Sequence, residues 1–294
     1  MKKYLIAVSG GPDSMALLNK KRRYVKAVCH INYHDREDTD NDELIVTNFC
    51  NQFKIPLFVF DTKKDNVDQY LNIKNPQTYY RKIRFDFFIK IAKQLNIKNC
   101  LIAHNRDDFI ESAYMSLDKN KHHLFLGIRK KSVYQSLILI RPLLHKSKNS
   151  LQKYCDKKQI AYAIDYSNFT DIYDRNVTRK IIANWTKKEL YFFYFKIKFH
   201  NIKNFFLIKK VDNLFAKWKA LNFDLHFFNN QRPNLKTNLI YLYLNHIGIK
   251  PNQNKIKQSI EFIEKNQTQS NKKYRIKQNY FLIVKNNALS YCYE

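Results

Sequence analysis

The chain has 294 residues, 45% of them hydrophobic, enough for one large domain or two ordinary ones with substantial cores. Its 53 Lys and Arg against 25 Asp and Glu give a net charge of +28, which indicates a polyanionic partner such as nucleic acid, although an A+T-rich coding bias would produce part of this excess. Five cysteines without a C-x-x-C pair argue against a disulfide framework or a zinc site, and no apolar run is long enough to span a bilayer, so we expect a protein of the reducing cytoplasm.

Strand and helix patterns alternate through the first half of the chain. Short apolar runs predict strands at residues 4–8, 24–31, 55–60, 100–103 and 136–140, and a shorter one at 161–164. Amphipathic spacing and helix-starting residues predict helices at 13–18, 40–53, 76–95, 105–117 and 147–158. This alternation predicts an α/β fold, a parallel Rossmann-like sheet with helices on both faces, which binds ligands at one edge.

The pattern changes near residue 185, where aromatic-rich segments replace the alternation. We therefore expect two domains, residues 1–185 and a smaller, mostly helical domain at residues 186–294. Near the end of the chain, residues 274–292 alternate apolar and polar side chains around Asn286-Asn287, which predicts a small hairpin.

The first strand runs directly into a glycine turn, Ser9-Gly10-Gly11-Pro12-Asp13-Ser14, and two of the chain's four glycines lie in it. Successive backbone N–H groups that lead into a helix N-terminus form an anion site, and Asp13 could hold a Mg²⁺ brought by a polyphosphate. The alternative is an ordinary capped connection between a strand and a helix. No Lys follows as in G-K-[ST], so the turn is not the common P-loop.

A second polar cluster, residues 104–111, follows the strand at 100–103. His104 lies at the strand end, and Asp108 and Glu111 are three residues apart, so they share one helix face. Two carboxylates beside a bound nucleotide can hold Mg²⁺, bind an ammonium group or accept a proton from an attacking amine. The alternative is that they only complement the helix dipole.

Basic side chains recur at helical spacing. Arg81 and Arg84 share one helix face, which suits a phosphate or is a solvated basic face. Arg175 and Arg179 are one helical turn apart and suit a phosphate or a carboxylate, or pair with nearby acids. His30 and His34 flank Asn32 at the end of the second strand, and lining a nucleotide or a structural role suits them better than zinc. Three further motifs are Arg141-Pro142-Leu143-Leu144, residues 165–168 (D-Y-S-N) and residues 175–179 (R-N-V-T-R).

Together these motifs resemble the tRNA(Ile)-lysidine synthase family, within the N-type ATP pyrophosphatases or PP-loop superfamily. The family pattern runs SGGxDS, H-x-N-H, R-x-x-R-[YF], A-H-x-x-D-D-x-x-E, R-P-L-L, D-x-S-N and R-N-x-x-R, and this chain follows that order over about residues 4–183. It departs from the pattern at Tyr33, which is inserted before His34, and at Ile164 and Tyr166 around the D-x-S-N motif.

The resemblance implies a sheet like that of adenine nucleotide alpha hydrolases, ATP as substrate with Mg²⁺, and as partners free L-lysine and tRNA(Ile) with a CAU anticodon. It implies that the C-terminal domain contacts tRNA. The implied nucleotide-binding residues are Ser9, Gly10, Gly11, Pro12, Asp13, Ser14, His30 and His104. The implied substrate-binding residues are Arg81, Arg84 and Asn176, and the implied catalytic residues are Asp13, Asp108, Glu111, Arg175 and Arg179.

Three other functions compete with this interpretation. A tRNA thiolase of the same superfamily usually needs a cysteine pair, which the chain lacks. A small-molecule amidoligase such as NAD or GMP synthetase suits a charge of +28 less well, and no glutaminase domain is visible. A non-enzymatic basic RNA-binding protein would not need the glycine turn or the carboxylates of residues 104–111.

Overall fold

The computed structural model describes residues 3–35, 39–73, 75–118, 124–163, 174–249, 251–266 and 272–293, without the side chains of residues 77, 118 and 174–176. The chain divides into two compact units. The first comprises Met1–Tyr114 and Gly127–Leu190, and the second comprises Met115–Leu126 and Tyr191–Glu294.

The first unit contains a six-stranded sheet with strand order β3-β2-β1-β4-β6-β5. Neighbouring strands are parallel except for β5, which is antiparallel to β6. The strands are β1 (Tyr4–Ala7), β2 (Val25–Asn32), β3 (Leu57–Asp61), β4 (Asn99–Leu101), β5 (Lys131–Tyr134) and β6 (Leu137–Ile140). The helices are α1 (Pro12–Lys21), α2 (Thr39–Gln52), α3 (Pro76–Gln94), α4 (Arg106–Asp118), α5 (Lys148–Lys157) and α6 (Asp174–Ala183).

Helices cover both faces of this sheet, as predicted. Successive side chains of a strand point to opposite faces, so Leu5 and Ile6 of β1 enter different cores. Ile6 packs in a cluster with residues of α1, α2 and α5, whereas Leu5 packs in a cluster with residues of α3. Both side chains are fully buried, which explains why β1 reads as a continuous apolar run.

The order in which strands are added to the sheet reverses between β1 and β4. From β1 the order runs through β2 to β3 on one side and through β4 to β6 on the other. Because β1 and β4 are parallel neighbours, the loops that follow them meet at the same sheet edge. This is the switch point at which open α/β sheets bind ligands.

One strand of this unit was not predicted, and the strand predicted at residues 161–164 is not found over its described residues. Strand β5 was not expected, because it is an edge strand whose alternating exposed side chains form no apolar run. Residues 161–163 are not in a strand; instead the Ala163 N–H donates to the Gly10 carbonyl oxygen at 3.0 Å. The remaining residue of that expected strand, Ile164, lies outside the described residues.

The second unit is mostly helical and ends in a three-stranded antiparallel sheet, β7-β8-β9. Its core surrounds Trp218, which is fully buried and stacks on Phe228 with ring centroids 5.1 Å apart. The helices are α7 (Lys187–Lys203), α8 (Phe205–Ala220), α9 (Leu225–Asn229), α10 (Pro233–His246) and α11 (Gln253–Lys265). The strands are β7 (Lys272–Lys277), β8 (Tyr280–Lys285) and β9 (Ala288–Tyr293).

The C-terminal hairpin is therefore larger than predicted. The turn at Asn286-Asn287 joins β8 to β9 as expected, and both residues have positive φ angles of 50° and 56°, which suits Asn in a tight hairpin turn. A second hairpin joins β7 to β8, which the alternation alone did not separate. In the described part of the chain, no helix has the length and apolarity needed to cross a membrane.

Candidate active site

The backbone of the glycine turn is fixed by close packing against α2. Gly10 has φ +87°, in the left-handed region that glycine tolerates best. A Cβ added there would lie 3.0 Å from the Cβ of Asp42. Gly11 has an ordinary φ of −68°, and the nearest atom to an added Cβ would be the Ser9 Oγ at 3.8 Å. The two glycines therefore serve different purposes, since only the first is required by the fold of the loop.

The turn leads directly into the N-terminus of α1. Pro12 occupies the first helical turn, where its missing N–H costs nothing, and the N–H of Ser14 donates to the Gly11 carbonyl oxygen at 3.1 Å. The Ser14 hydroxyl also donates to that oxygen at 2.9 Å and accepts from the Ser9 N–H at 3.2 Å. The serines thus brace the loop at the positive end of the helix dipole, a geometry that receives phosphate.

Asp13 places a half-buried carboxylate at this helix end. Its Oδ2 accepts from the Asn105 Nδ2 at 3.0 Å. Its Oδ1 is buried and has no hydrogen-bond partner among the described residues. Burial, followed by the charge of Asp108, raises the pKa of Asp13 to about 6. An orphaned, desolvated carboxylate oxygen beside a phosphate site fits a Mg²⁺ ligand.

Asn105 joins the two loops and was not singled out from the sequence. Its Oδ1 accepts from the N–H groups of Asp107 at 2.8 Å and Asp108 at 3.0 Å, which caps α4. The Asp108 Oδ2 in turn accepts from the Asn105 N–H at 2.9 Å, which completes a reciprocal capping box. The spacing N-x-x-D before an apolar run was the available signal. The box places Asp108 close enough to Asp13 for their charges to interact.

Glu111 lies one turn further along α4 and pairs with α6. The Arg179 Nε donates to its Oε1 at 3.0 Å, and the carboxylate is buried. Helix α6 also carries Arg175 and Asn176, but their side chains are outside the described part of the molecule. The D-Y-S-N motif at residues 165–168 lies wholly outside it. Of the predicted carboxylate and arginine residues, described contacts therefore connect Asp13 with Asp108 through Asn105, and Glu111 with Arg179.

The two predicted histidines lie in different hydrogen-bond environments. His30 is buried in β2, where its Nδ1 donates to the Val8 carbonyl oxygen at 3.0 Å. Burial lowers its pKa, so the ring is neutral and Nε2 is an acceptor; this atom is buried, with no hydrogen-bond partner in the described ranges. The His104 Nδ1 accepts from the Arg141 Nε at 3.0 Å, so its proton is on Nε2. The hydrogen bond that each ring makes through Nδ1 therefore fixes its tautomer.

Arg81 and Arg84 point to different neighbours. Arg81 lies over the rings of Phe85 and Tyr134, with its guanidinium carbon 4.8 Å and 5.8 Å from their centroids. The Arg84 Nε donates to the hydroxyl of Tyr33 at 3.2 Å, and that hydroxyl donates to the Tyr80 carbonyl oxygen at 3.1 Å. The inserted tyrosine thus holds Arg84.

The contacts of His34 suit a structural role. Its Nε2 lies 2.7 Å from the Asp61 Oδ1 and joins the ends of β2 and β3. Across the described ranges, no group of three or more His, Cys, Asp or Glu side chains is arranged to hold a metal ion. A single carboxylate with substrate phosphates is a usual Mg²⁺ arrangement, so this finding does not bear on Asp13.

Four of the five cysteines are poorly suited to sulfur chemistry. Cys29, Cys50, Cys100 and Cys155 are buried. Burial raises the pKa of their thiols, to about 11 for Cys50 and Cys155 and to about 12 for Cys100. A reactive thiol needs a depressed pKa and access to its partner.

The sheet, the glycine turn and the acidic start of α4 define a nucleotide-binding α/β protein of the PP-loop class. A family model described as a PP-loop domain matches residues 1–185. Among solved structures, the U34-tRNA thiolase of Methanococcus maripaludis aligns with a TM-score of 0.55 over 69% of this chain and 72% of that chain. Its sequence identity is 16%, so this likeness shows the fold alone.

Two relatives narrow the class further. The chain is 60% identical over 289 residues to a tRNA(Ile)-lysidine synthase of Malacoplasma penetrans (strain HF-2), covering 98% of each chain. It is 41% identical over 290 residues to that of Ureaplasma parvum serovar 3 (strain ATCC 700970), covering 98% of this chain and 86% of the relative. The chain belongs to the tRNA(Ile)-lysidine synthase family, which confirms the resemblance of its motifs.

Proposed function

We propose that this chain ligates lysine to C2 of the wobble cytidine of tRNA(Ile), using ATP, and so forms lysidine and changes codon reading from AUG to AUA. One observation carries the proposal: Asn105 hydrogen-bonds Asp13, and so joins the glycine turn to the acidic start of α4 at one sheet edge. A nucleotide site and an amine site are then neighbours. The family membership of the chain supports this reaction.

ATP would bind with its β- and γ-phosphates at Ser9–Ser14, against the N-terminus of α1. Asp13 would hold Mg²⁺, which supplies positive charge to the polyphosphate. His30 and His104 would line the nucleotide, with the His30 Nε2 as an acceptor. Arg81, Arg84 and Asn176 would bind the RNA or lysine substrate.

The first step activates the base. The C2 oxygen of cytidine attacks the α-phosphate, a P–O bond forms, and pyrophosphate leaves with the bonding electrons of the broken P–O bond. Arg175 and Arg179 would neutralise charge on the α-phosphate or hold the lysine carboxylate. This step makes the oxygen on C2 a good leaving group.

In the second step, the lysine ε-amine attacks C2 and AMP departs with the oxygen that was bonded to C2. The amine has a reference pKa of about 10.4, so it must lose a proton before it attacks. Asp108 and Glu111 would bind the ammonium group and accept that proton. Their contacts with Asn105 and Arg179 hold both carboxylates in fixed positions, which favours an oriented attack.

We assign catalysis to residues 1–185 and tRNA contacts to residues 186–294, and we place the protein in the cytoplasm, where tRNA is found. Of the rival functions, thiolation by another PP-loop tRNA enzyme is disfavoured because the buried thiols have raised pKa values.

The test uses purified protein, ATP, labelled lysine and a tRNA(Ile) transcript with a CAU anticodon. We expect label in the RNA, with one AMP and one pyrophosphate released per lysine incorporated. A tRNA(Met) transcript is the matched control and should remain unlabelled. Absence of label in the tRNA(Ile) transcript, with ATP bound normally, would overturn the proposal.

A further inference from the structure

The segment at residues 191–210 has an unusual composition. Its 20 residues include eight aromatic side chains and five lysines, and no aspartate or glutamate. It forms most of α7 and the start of α8. At their junction the Asn204 N–H donates to the His200 carbonyl oxygen at 3.1 Å and the Ile208 N–H donates to the Asn204 carbonyl oxygen at 2.8 Å, but Asn204 is a turn residue with ψ 4°, so α7 and α8 are separate helices.

Four large apolar side chains of α7 are exposed along one line. Their intervals of three, four and three residues place them on a single helix face. We call this the aromatic–lysine face, and its apolar members are Phe192 (74% exposed), Phe195 (62%), Phe199 (70%) and Ile202 (67%). Exposed Lys196 and Lys203, two helical turns apart, run beside this line, and exposed Lys210 follows on α8.

The opposite side of α7 is the side that packs within its own unit. Ile197 is 1% exposed. Asn201 accepts from the Leu126 N–H and donates to the Leu126 carbonyl oxygen, both at 2.9 Å. The aromatic–lysine face is therefore not the face that holds the helix in the fold. A helix with apolar residues on both sides is normally buried, so the exposed line indicates a binding surface.

The charge of this face distinguishes between two possible partners, a second copy of the chain and a polyanion. A second copy of the chain would bring the lysines of one face against those of the other, with no carboxylate in residues 191–210 to offset them. A polyanion is complementary instead. Aromatic faces stack on unpaired bases while flanking lysines contact phosphates, which is the usual arrangement for binding single-stranded or looped RNA.

We propose that the aromatic–lysine face binds unpaired nucleotides of the tRNA substrate, by stacking bases on Phe192, Phe195 and Phe199 and pairing phosphates with Lys196, Lys203 and Lys210. This inference rests on the proposed function only in its choice of RNA. It adds a contact surface on α7 that the phosphate loop and the carboxylates of α4 do not require.

The test compares three variants by their dissociation constants for the tRNA(Ile) transcript. Phe192→Leu/Phe195→Leu/Phe199→Leu keeps apolar area but removes the π faces, and we expect binding to weaken by about tenfold for each stacked base. Lys196→Gln/Lys203→Gln/Lys210→Gln should weaken binding at low salt, with a smaller effect at high salt. Tyr24→Leu, at an exposed aromatic position outside residues 186–294, is the control and should bind like the original chain.

Sedimentation equilibrium on the same samples tests the alternative, in which the aromatic–lysine face joins two copies of the chain. Unchanged RNA affinity in the Phe→Leu variant would overturn the proposal, as would a dimer of the original chain that Lys→Gln substitution strengthens. This failure is distinct from failure of the proposed function. If only the face is assigned wrongly, the Phe→Leu variant still forms lysidine with an unchanged KM for tRNA. If the function is wrong, the original chain forms no lysidine at all.

Discussion

At the scale of single residues, the two adjacent glycines of the phosphate loop should respond differently to the same substitution. Gly10→Ala adds a Cβ at φ +87° and 3.0 Å from the Cβ of Asp42, so we expect a loss of about 1–3 kcal/mol of stability. Gly11→Ala meets no atom closer than 3.8 Å at an ordinary φ and should melt close to the original temperature. Thermal unfolding of both variants measures the difference, and equal melting temperatures would contradict the packing argument.

Asp108 can be tested without disturbing the cap that it forms. In Asp108→Asn the amide oxygen can still accept from the Asn105 N–H, so fold and ATP affinity should persist. Lysidine formation should fall by at least about 100-fold, because an amide cannot accept the amine proton.

The neighbouring Asp107→Asn is the matched control for that prediction. Asp107 Oδ2 accepts from the Lys148 N–H, and an amide oxygen can replace it there. Its activity should stay within a few fold of the original chain. Full activity of Asp108→Asn in single-turnover assays would remove Asp108 from the proposed catalytic group.

The raised pKa of Asp13 gives a pH dependence of stability in nucleotide-free, Mg²⁺-free protein. The folded state binds this proton more tightly than the unfolded state, so stability falls as pH rises from 3.8 to about 6 and stays lower above that. At about 1.4 kcal/mol per pH unit, the ionised carboxylate costs about 3 kcal/mol. Asp13→Asn should therefore melt several degrees above the original chain at pH 8.

That stabilisation should shrink to a small fraction near pH 4, where the Asp13 carboxyl of the folded state is protonated and that of the unfolded state, with a pKa of 3.8, is only about half ionised. Exposed Asp68→Asn is the control and should show no such pH-dependent difference. Calorimetry from pH 4 to pH 8 measures both variants. An Asp13→Asn variant that melts below the original chain at pH 8 would show that the burial of this charge is not a net cost.

At the scale of elements, the ion pair between Glu111 and Arg179 joins α4 to α6. Glu111 is buried and pairs with Arg179 at 3.0 Å, so a double-mutant cycle with Glu111→Gln and Arg179→Gln should give a coupling of about 1–3 kcal/mol. The exposed pair Lys257–Glu261, at 3.9 Å on one helix, should give a coupling close to zero. Urea unfolding measures both cycles. Equal couplings would mean that Arg179 does not fix the carboxylate.

The order of elements in the first unit was predictable because local patterns specify it. Buried strands such as β1 form short apolar runs, and Ser147 before α5 is a recognisable cap, which the Ser147 side chain provides by accepting from the Ser150 N–H. Strand β5 was not predictable in this way, since its pairing with β6 leaves alternate side chains exposed. Its position depends on a neighbouring strand and not on its own composition.

The candidate site was predictable in its residue types but not in its contacts. The motifs named Asp13, Asp108 and Glu111, and parallel strand order placed them at one edge. The contact between Asn105 and Asp13 joins residues 92 positions apart, and it depends on the register of β1 against β4. The capping box likewise could be inferred from spacing, but its effect on Asp13 could not.

At the scale of the whole molecule, the net charge of +28 raises a question that composition cannot answer. Coding bias and RNA binding both produce lysines, but only lysines that contact phosphates release counterions when RNA binds. The slope of log affinity against log salt counts those contacts and ignores the other charges. We expect a steep slope for tRNA(Ile), with affinity falling about a thousandfold between 50 and 200 mM KCl if about six phosphates are contacted.

ATP binding provides the internal comparison for this measurement. Its phosphates would meet fixed N–H groups at the start of α1 and buried side chains, so its affinity should change far less over the same salt range. Filter binding for tRNA and calorimetry for ATP give the two slopes on one preparation. A tRNA slope as shallow as that for ATP would assign most of the lysines to coding bias, because a surface that binds a polyanion through many phosphates cannot avoid releasing their counterions.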